Sequence, residues 1–302
     1  MPPKPPEQIS FWGVIVRWGL LFVLLAGAVV MYVVPALERG GDRMVVTFLD
    51  VGQGDAIFIE SPTGVQMLID GGPDATVLRR LSQKMGFFDR SIDVVLATHA
   101  DKDHIGGLAD VLERYAVAEI VMTENKGESA AAEAFFERAE AEQARVTYAR
   151  RGMQYDLGGG AILTILFPDR DPSLLESNTS SIVARLVYGD SEFLFTGDSP
   201  QAIEEHLVML DRNIPSAGRR SELQSDVLKA GHHGSRTSSS ELFLDAVRPT
   251  YAIISSGKDN SYGHPHKEVL AALAEAGVIT KNTAEEGSIT IVSDGSSLRL
   301  ED

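Results

Sequence analysis

Six consecutive residues, His99-Ala100-Asp101-Lys102-Asp103-His104, hold two imidazoles and two carboxylates. Such groups cost free energy to bury unpaired, and a metal ion is the usual way to satisfy them together. His99 with Asp101, and Asp103 with His104, offer two separate reaches, so two adjacent metal positions are expected. A plain polar loop would bond only to itself. Four ligand-type residues in six, with Gly106-Gly107 following, favour the metal.

Three other stretches carry the same chemistry. Phe193-Leu194-Phe195-Thr196-Gly197 leads to Asp198, a carboxylate placed to bridge two ions, though it also suits a helix N-cap before Pro200. Asp226-Val227-Leu228-Lys229 leads to Gly231-His232-His233-Gly234. Adjacent histidines point in different directions, so one of the two is the expected ligand. Tyr262-Gly263-His264-Pro265-His266 is the fourth. Of seven histidines only His206 falls within a predicted surface helix, where a structural role is expected. Asp50, Asp55 and Asp70 read first as turn residues, with Asp70 a further candidate for orienting a ligand histidine. The Asn178-Thr179-Ser180-Ser181 stretch reads locally as a polar turn.

These stretches lie at the ends of predicted elements, where sites are usually built. Ile92–Ala97 reads as a buried strand running into His99, and Leu108, Val111 and Leu112 have helical spacing after it, with Asp103 as N-cap. Upstream, Val45–Leu49, Ala56–Ile59 and Met67–Ile69 form an antiparallel meander. Helices then alternate with strands: helices near 74–85, 105–115 and 129–143, with a strand near 119–122. Short strands return at Ile162–Phe167, Ser181–Val187 and Phe193–Phe195. Helices near 200–210, 239–247 and 267–276 alternate with strands at 226–229, 251–255 and 287–292. Two mixed sheets with helices on their outer faces is the simplest packing for this order. The acidic helix near 129–143 reads as solvated and without chemistry.

With no cysteine, disulfides and Cys-type zinc sites are excluded. A net charge of -16, from 27 basic and 43 acidic residues, argues against a broad basic surface. Bound cations can still reverse the sign of a site locally, so a phosphodiester is not excluded. From Trp18 to Leu37 the chain is uncharged, long enough for a membrane helix. Ala26-Gly27-Ala28 resembles a signal-peptide cleavage site, but the apolar run continues past it, which favours a retained anchor. Lys4 and Arg17 precede it, so the N-terminus is expected in the cytoplasm and the rest outside. The expected organisation is a cytoplasmic tail at 1–17, a transmembrane helix at 18–37, a linker at 38–43 and one domain at 44–302.

From Val45 onward the sequence resembles the metallo-β-lactamase superfamily, specifically the hydrolase domain of ComEC-type competence proteins. The resemblance rests on DVGQGD (50–55), IDGG (69–72), THADKDHIGG (98–107), NTSSIV (178–183), FTGD (195–198), HHGS (232–235) and YGHPH (262–266). It implies an α/β fold, a four-layer αββα sandwich, with a two-metal site at the sheet edge. Carried over, His99, Asp101, Asp103, His104, Asp198 and one of His232 or His233 are metal ligands. With His232 taken as the ligand, His233, His264 and Asp103 are left to catalysis, and Asn178, Ser181 and His264 to substrate. Asn178 stands about where many members place another ligand histidine, and Asp101 replaces the commoner second histidine. Both changes favour oxygen ligands, making manganese a rival to zinc.

The expected function is a membrane-anchored metallo-hydrolase of phosphodiesters, DNA included. A small-phosphoester or phosphorylcholine hydrolase is the first alternative, and a non-catalytic envelope scaffold the second. ComEC-type proteins carry a large polytopic channel region, which the resemblance does not cover.

Overall fold

The structure, a computed structural model, describes residues 11–30, 41–213 and 221–301. They fall into two units, one within residues 1–39 with the short loop 86–89, the other within residues 40–85 and 90–302.

The first unit carries helix α1, Phe11–Ala28. Its Trp12, Trp18, Leu21, Phe22, Leu24 and Leu25 are exposed. The span expected at 18–37 is not seen. Helix α1 starts at Phe11, takes in Arg17 and ends at Ala28, so it holds only part of the uncharged run. Residues 31–37 of that run lie outside the described residues. Among the described residues, no helix is long and apolar enough to cross a membrane.

The second unit is built on two sheets. Its first stretch runs β1 (Met44–Phe48), β2 (Ile57–Glu60), β3 (Gln66–Ile69), α2 (Thr76–Leu81), β4 (Ser91–Leu96), α3 (Lys102–Ile105), α4 (Leu108–Arg114), β5 (Ala116–Met122), α5 (Ala130–Ala141) and β6 (Arg145–Tyr148). There follow β7 (Gln154–Gly158), β8 (Ala161–Phe167), β9 (Val183–Tyr188), β10 (Ser191–Phe195), α6 (Gln201–Arg212) and β11 (Val227–Lys229). The chain then adds α7 (Glu241–Val247), β12 (Tyr251–Ile254), α8 (Lys267–Glu275), β13 (Ile279–Asn282), α9 (Thr283–Glu286), β14 (Ile289–Ser293) and β15 (Leu298–Glu301). One sheet has eight strands, ordered β15-β14-β1-β2-β3-β4-β5-β6; the other has seven, ordered β13-β12-β11-β10-β9-β8-β7. Each is part antiparallel and part parallel. Strands β3 to β6 run parallel in the first, and β10 to β13 in the second.

Three apolar layers explain the order of elements. Phe48, Ile57, Ile59, Met67 and Leu96 meet Leu163, Ile165, Leu186, Phe193 and Phe195 between the sheets. On the outer side of the first sheet, Phe58, Leu68 and Val95 pack under Val77, Leu108, Val111 and Phe135 of the helices. On the outer side of the second, Leu194 and Leu228 pack under Leu207, Phe243 and Leu273. Central strands such as β3 and β10 are thus buried on both faces, which is why Met67–Ile69 and Phe193–Phe195 within them read as unbroken apolar runs.

The helix expected at 105–115 is two helices, α3 and α4, broken at Gly106-Gly107. A Cβ at Gly106 would lie 2.3 Å from the Pro73 carbonyl oxygen, and one at Gly107 2.3 Å from that of Gly71. The two glycines let the ligand loop press against the loop that follows Asp70. Asp101, not Asp103, occupies the N-cap position, and its side chain makes no capping bond, so the carboxylate stays available.

Candidate metal centre

Parallel strands present their loops at their C-terminal ends, where α/β proteins commonly build sites. Here β3 delivers Asp70, β4 delivers His99 to His104, β10 delivers Asp198, and β11 delivers His232 and His233. Asp70 is fully buried in the left-handed backbone region at φ 58°. Its Oδ1 accepts the Thr98 N–H at 2.8 Å and its Oδ2 the Thr98 hydroxyl at 2.7 Å. The same Oδ2 lies 2.8 Å from His104 Nδ1. Because the Thr98 hydroxyl donates to Asp70, its oxygen accepts from His99 Nδ1 at 3.1 Å. One buried carboxylate therefore sets both rings with Nδ1–H outward and the Nε2 lone pair inward.

Those lone pairs converge on Asp198. His104 Nε2 is 3.2 Å from Asp198 Oδ1, and His99 Nε2 is 4.0 Å from Oδ2. His233 Nε2 lies 3.6 Å from Asp198 Oδ2 and 3.3 Å from Asp103 Oδ2. Its Nδ1 donates to the Ser255 carbonyl at 2.9 Å, fixing the same tautomer. Both His232 (φ 49°) and His233 (φ 55°) adopt left-handed backbone, a strain of about 1–3 kcal/mol each that sites commonly store.

Behind His233 stands a carboxylate whose sequence context suggests only a turn residue. Asp55 Oδ1 lies 3.3 Å from His233 Nδ1, and its Oδ2 pairs with Lys229 Nζ at 2.8 Å. Asp55, His104, Asp198 and His233 each offer an atom within 4.8 Å of the others. Since Asp55 faces the Nδ1 edge of His233 and is paired with Lys229, it supports that ring rather than the ion. The Gly54 preceding it, at φ 139°, lets the turn approach so closely that a Cβ would lie 2.2 Å from the Asp103 carbonyl oxygen.

Charge is tightly coupled here. Burial disfavours the imidazolium of His104, but Asp198 and Asp70 outweigh it and hold its pKa well above the ordinary histidine value. For His233 burial is likewise outweighed, by Asp198 and Asp55, raising it to about 9. Burial would raise Asp198, yet His233 and His104 keep it well below the usual carboxylate range. Burial and His104 push His99 down. Asp103, against its burial, is lowered to about 2, chiefly by His233 and His104.

The residues present fit a metal. His99, His104 and His233 leave Nε2, and Asp198 leaves Oδ1, buried without a hydrogen-bond partner. Imidazole nitrogens and carboxylate oxygens converging with lone pairs inward require a cation or protons between them. On the His99 side, Asp101 Oδ2 is 3.7 Å from His99 Nε2, and its Oδ1 accepts the Ser177 hydroxyl at 2.6 Å. The next residue, Asn178, begins a 3-10 turn and leaves its Oδ1 buried and unpartnered.

Some assignments change. The resemblance leads to His232 as ligand and His233 as catalytic, but it is His233 that is buried among Asp103, Asp198 and Asp55. His232 keeps its side chain partly exposed, with Nε2 3.6 Å from Asp198 Oδ2. Ser181 cannot meet substrate: it is fully buried and its hydroxyl oxygen accepts the Asp198 N–H at 3.2 Å. His264 stands apart with the opposite tautomer. Gln53 Oε1 accepts the Gly257 N–H, which turns Gln53 Nε2 toward His264 Nδ1 at 3.4 Å. His264 therefore presents Nε2–H, a donor rather than a lone pair. Its ring lies 5.6 Å from that of His232 and 6.3 Å from that of His233. Burial, with the neighbouring His233 and His232, lowers it to about 4. Lys229, Thr98 and Gln53 were missed; only Lys229, a lone charge in an apolar strand, left a trace in the sequence.

A four-layer sandwich with this centre at its edge defines a class, and residues 49–258 match the model of the metallo-beta-lactamase superfamily. The chain belongs to that superfamily, whose members are metal-dependent hydrolases. It is 28% identical over 276 residues to ComE operon protein 3 of Bacillus subtilis and 31% identical over 268 residues to competence protein ComA of Neisseria gonorrhoeae. These matches cover 86% and 88% of this chain but only 34% of each relative, so the chain spans about a third of their length. Among solved structures it is similar in fold to YhfI from Bacillus subtilis, with a TM-score of 0.55 at 13% identity, covering 84% of this chain and 100% of that one. Zinc-bound PqqB from Methylobacterium extorquens gives a TM-score of 0.51 at 12% identity, covering 82% of this chain and 99% of that one.

Proposed function

We propose that this chain is a two-metal phosphodiesterase with nucleic acid as its substrate. The observation that carries the reading is the convergence of three Nε2 lone pairs on the buried carboxylate of Asp198, with Asp103 against His233. One position would be held by His99 and Asp101, with Asn178 beside them, and the other by Asp103, His104 and His233. Asp198 would lie between, and zinc or manganese suits this mixed donor set. The similarity to competence proteins supports a DNA-type phosphodiester.

In the hydrolysis a water oxygen bonds to phosphorus, the bond to the leaving oxygen breaks, and that oxygen takes up a proton. Bound divalent ions would neutralise phosphoryl charge and lower the pKa of water. Asp70 and the Ser255 carbonyl hold His104 and His233 in the tautomers that leave Nε2 unprotonated. Asp103 remains ionised at neutral pH. His264 offers Nε2–H to a phosphoryl or leaving oxygen.

The test is a screen of the full chain after reconstitution with zinc or manganese. Bis-p-nitrophenyl phosphate and single- and double-stranded DNA are set against phosphorylcholine and β-lactam substrates. Cleavage of the diesters is expected; turnover confined to phosphorylcholine or a β-lactam would overturn the reading.

Membrane attachment through the N-terminal apolar stretch, with residues 44–302 outside the cytoplasm, is also our proposal. It rests on the uncharged run at 18–37, the outward apolar side chains of α1 and the Lys4/Arg17 bias, not on any helix of spanning length. Reporters fused after Asp302, active on one side only, test it. Activity of the cytoplasmic reporter alone would reverse the orientation.

A further inference from the structure

Beside the metal centre the loop after β12 presents an aromatic ring that nothing in the chemistry above uses. Tyr262 is 65% exposed, and its ring stacks on His264 at 5.6 Å with 22° between the planes. The loop that carries it is braced from within by one side chain. Asn260 Nδ2 donates to the carbonyls of Gly257 at 2.8 Å and His264 at 2.6 Å, while its Oδ1 accepts the His264 N–H at 2.9 Å. Gln53 ties the same loop to the turn before Asp55 through its contacts to Gly257 and His264. Tyr262 is therefore held out on a constrained loop.

His264 also lines a cavity of about 500 Å³, together with Ser256, Lys258, Asn282 and Glu285. That volume lies in the range that takes a small organic ligand. Its polar lining is mixed: an ammonium, a carboxylate, a side-chain amide, a hydroxyl and the His264 imidazole. Asn282 Oδ1 is occupied by the Ser256 hydroxyl and the Ala284 N–H, each at 2.9 Å, which leaves its NH₂ to offer. The one ammonium suits a single phosphate, and the remaining polar groups suit sugar hydroxyls.

We infer that the Tyr262–His264 face and the adjoining cavity form a nucleoside subsite flanking the reacting phosphate. The nucleobase stacks on Tyr262, and the sugar with its outer phosphate faces the cavity near Lys258. An aromatic platform binds any base by its π-face, but only a base free of its partner strand can reach it. The preferred substrate is then a single-stranded end, loop or short oligonucleotide rather than an intact duplex. This inference rests on the phosphodiesterase reading of the neighbouring centre.

Two measurements on the manganese-reconstituted full chain keep the two ideas separable. The first compares thymidine 5′-(p-nitrophenyl phosphate) with methyl p-nitrophenyl phosphate, which share a leaving group and differ in the nucleoside. The unsubstituted chain should prefer the nucleoside ester, and Tyr262→Ala should cut that preference about tenfold through KM, with Tyr262→Trp restoring it. A preference that Tyr262→Ala leaves unmoved overturns the subsite while the phosphodiesterase reading stands. The second is calorimetric binding of thymidine 5′-monophosphate, which needs no turnover. Binding about tenfold weaker in Tyr262→Ala supports the subsite, and equal binding refutes it. If neither ester is cleaved, the phosphodiesterase reading fails, and the binding arm still decides the subsite.

Discussion

Asp70 Oδ2 sits 2.8 Å from His104 Nδ1 and takes the Thr98 hydroxyl at 2.7 Å, so one carboxylate orients both histidines of the ligand loop. Asp70→Asn places a neutral amide where the carboxylate accepted both protons. Metal affinity should fall roughly 10- to 100-fold with the fold intact. Competition with a chromophoric chelator measures this; unchanged affinity would separate Asp70 from the centre.

Reconstituted full chain should hold close to two divalent ions, by analogy with two-metal hydrolytic sites. Asp198→Ala and His104→Ala should each lower that content sharply. Elemental analysis decides it, and less than about half an ion per chain in the unsubstituted protein would end the two-metal proposal.

Lys229→Met leaves Asp55 charged, buried and without its cation. Breaking a buried pair on one side costs about 3–5 kcal/mol, whereas removing both charges together costs much less. Denaturant unfolding should therefore find Lys229→Met far less stable than the double variant Asp55→Asn/Lys229→Met. Equal losses would show that the pair is dispensable.

Proton and metal compete for His233. Its pKa is raised to about 9, so the protonated form stabilises the metal-free fold. That contribution is complete below the ordinary value near 6.5 and is lost as pH rises through 9. Metal needs the deprotonated ring, so the gain in Tm on adding manganese should be larger at pH 9 than at pH 6.5. Thermal scans of metal-free and loaded protein check the sign.

His264→Ala should lower kcat without changing metal content, because it presents Nε2–H, a donor rather than a lone pair. A parallel loss of metal would place His264 among the ligands instead.

Much of the centre was legible because strand ends announce themselves: an unbroken apolar run, then Gly or Thr, then His or Asp. That pattern located His99, His104, Asp198 and the His232-His233 pair. It could not separate the two histidines, since the choice depends on left-handed backbone at both and on Asp55 reaching His233 from the far end of the chain. Asp55 passed for a turn residue for the same reason: its partner Lys229 belongs to the other sheet. Ser181 was misjudged because burial follows from the packing of β9 against β10, which local sequence does not encode. At the N-terminus, composition showed the apolar run but not where its helix would begin and end.

His99 and His104 hang from the eight-stranded sheet, Asp198 and His233 from the seven-stranded one. A cation held among them acts as a clasp between the two halves of the sandwich. Ligand that binds only the folded state adds about 2.7 kcal/mol when present at a hundred times its dissociation constant. Metal supply would then govern how long each molecule survives proteolysis as well as how fast it turns over, and a starved cell would lose the protein itself along with its activity.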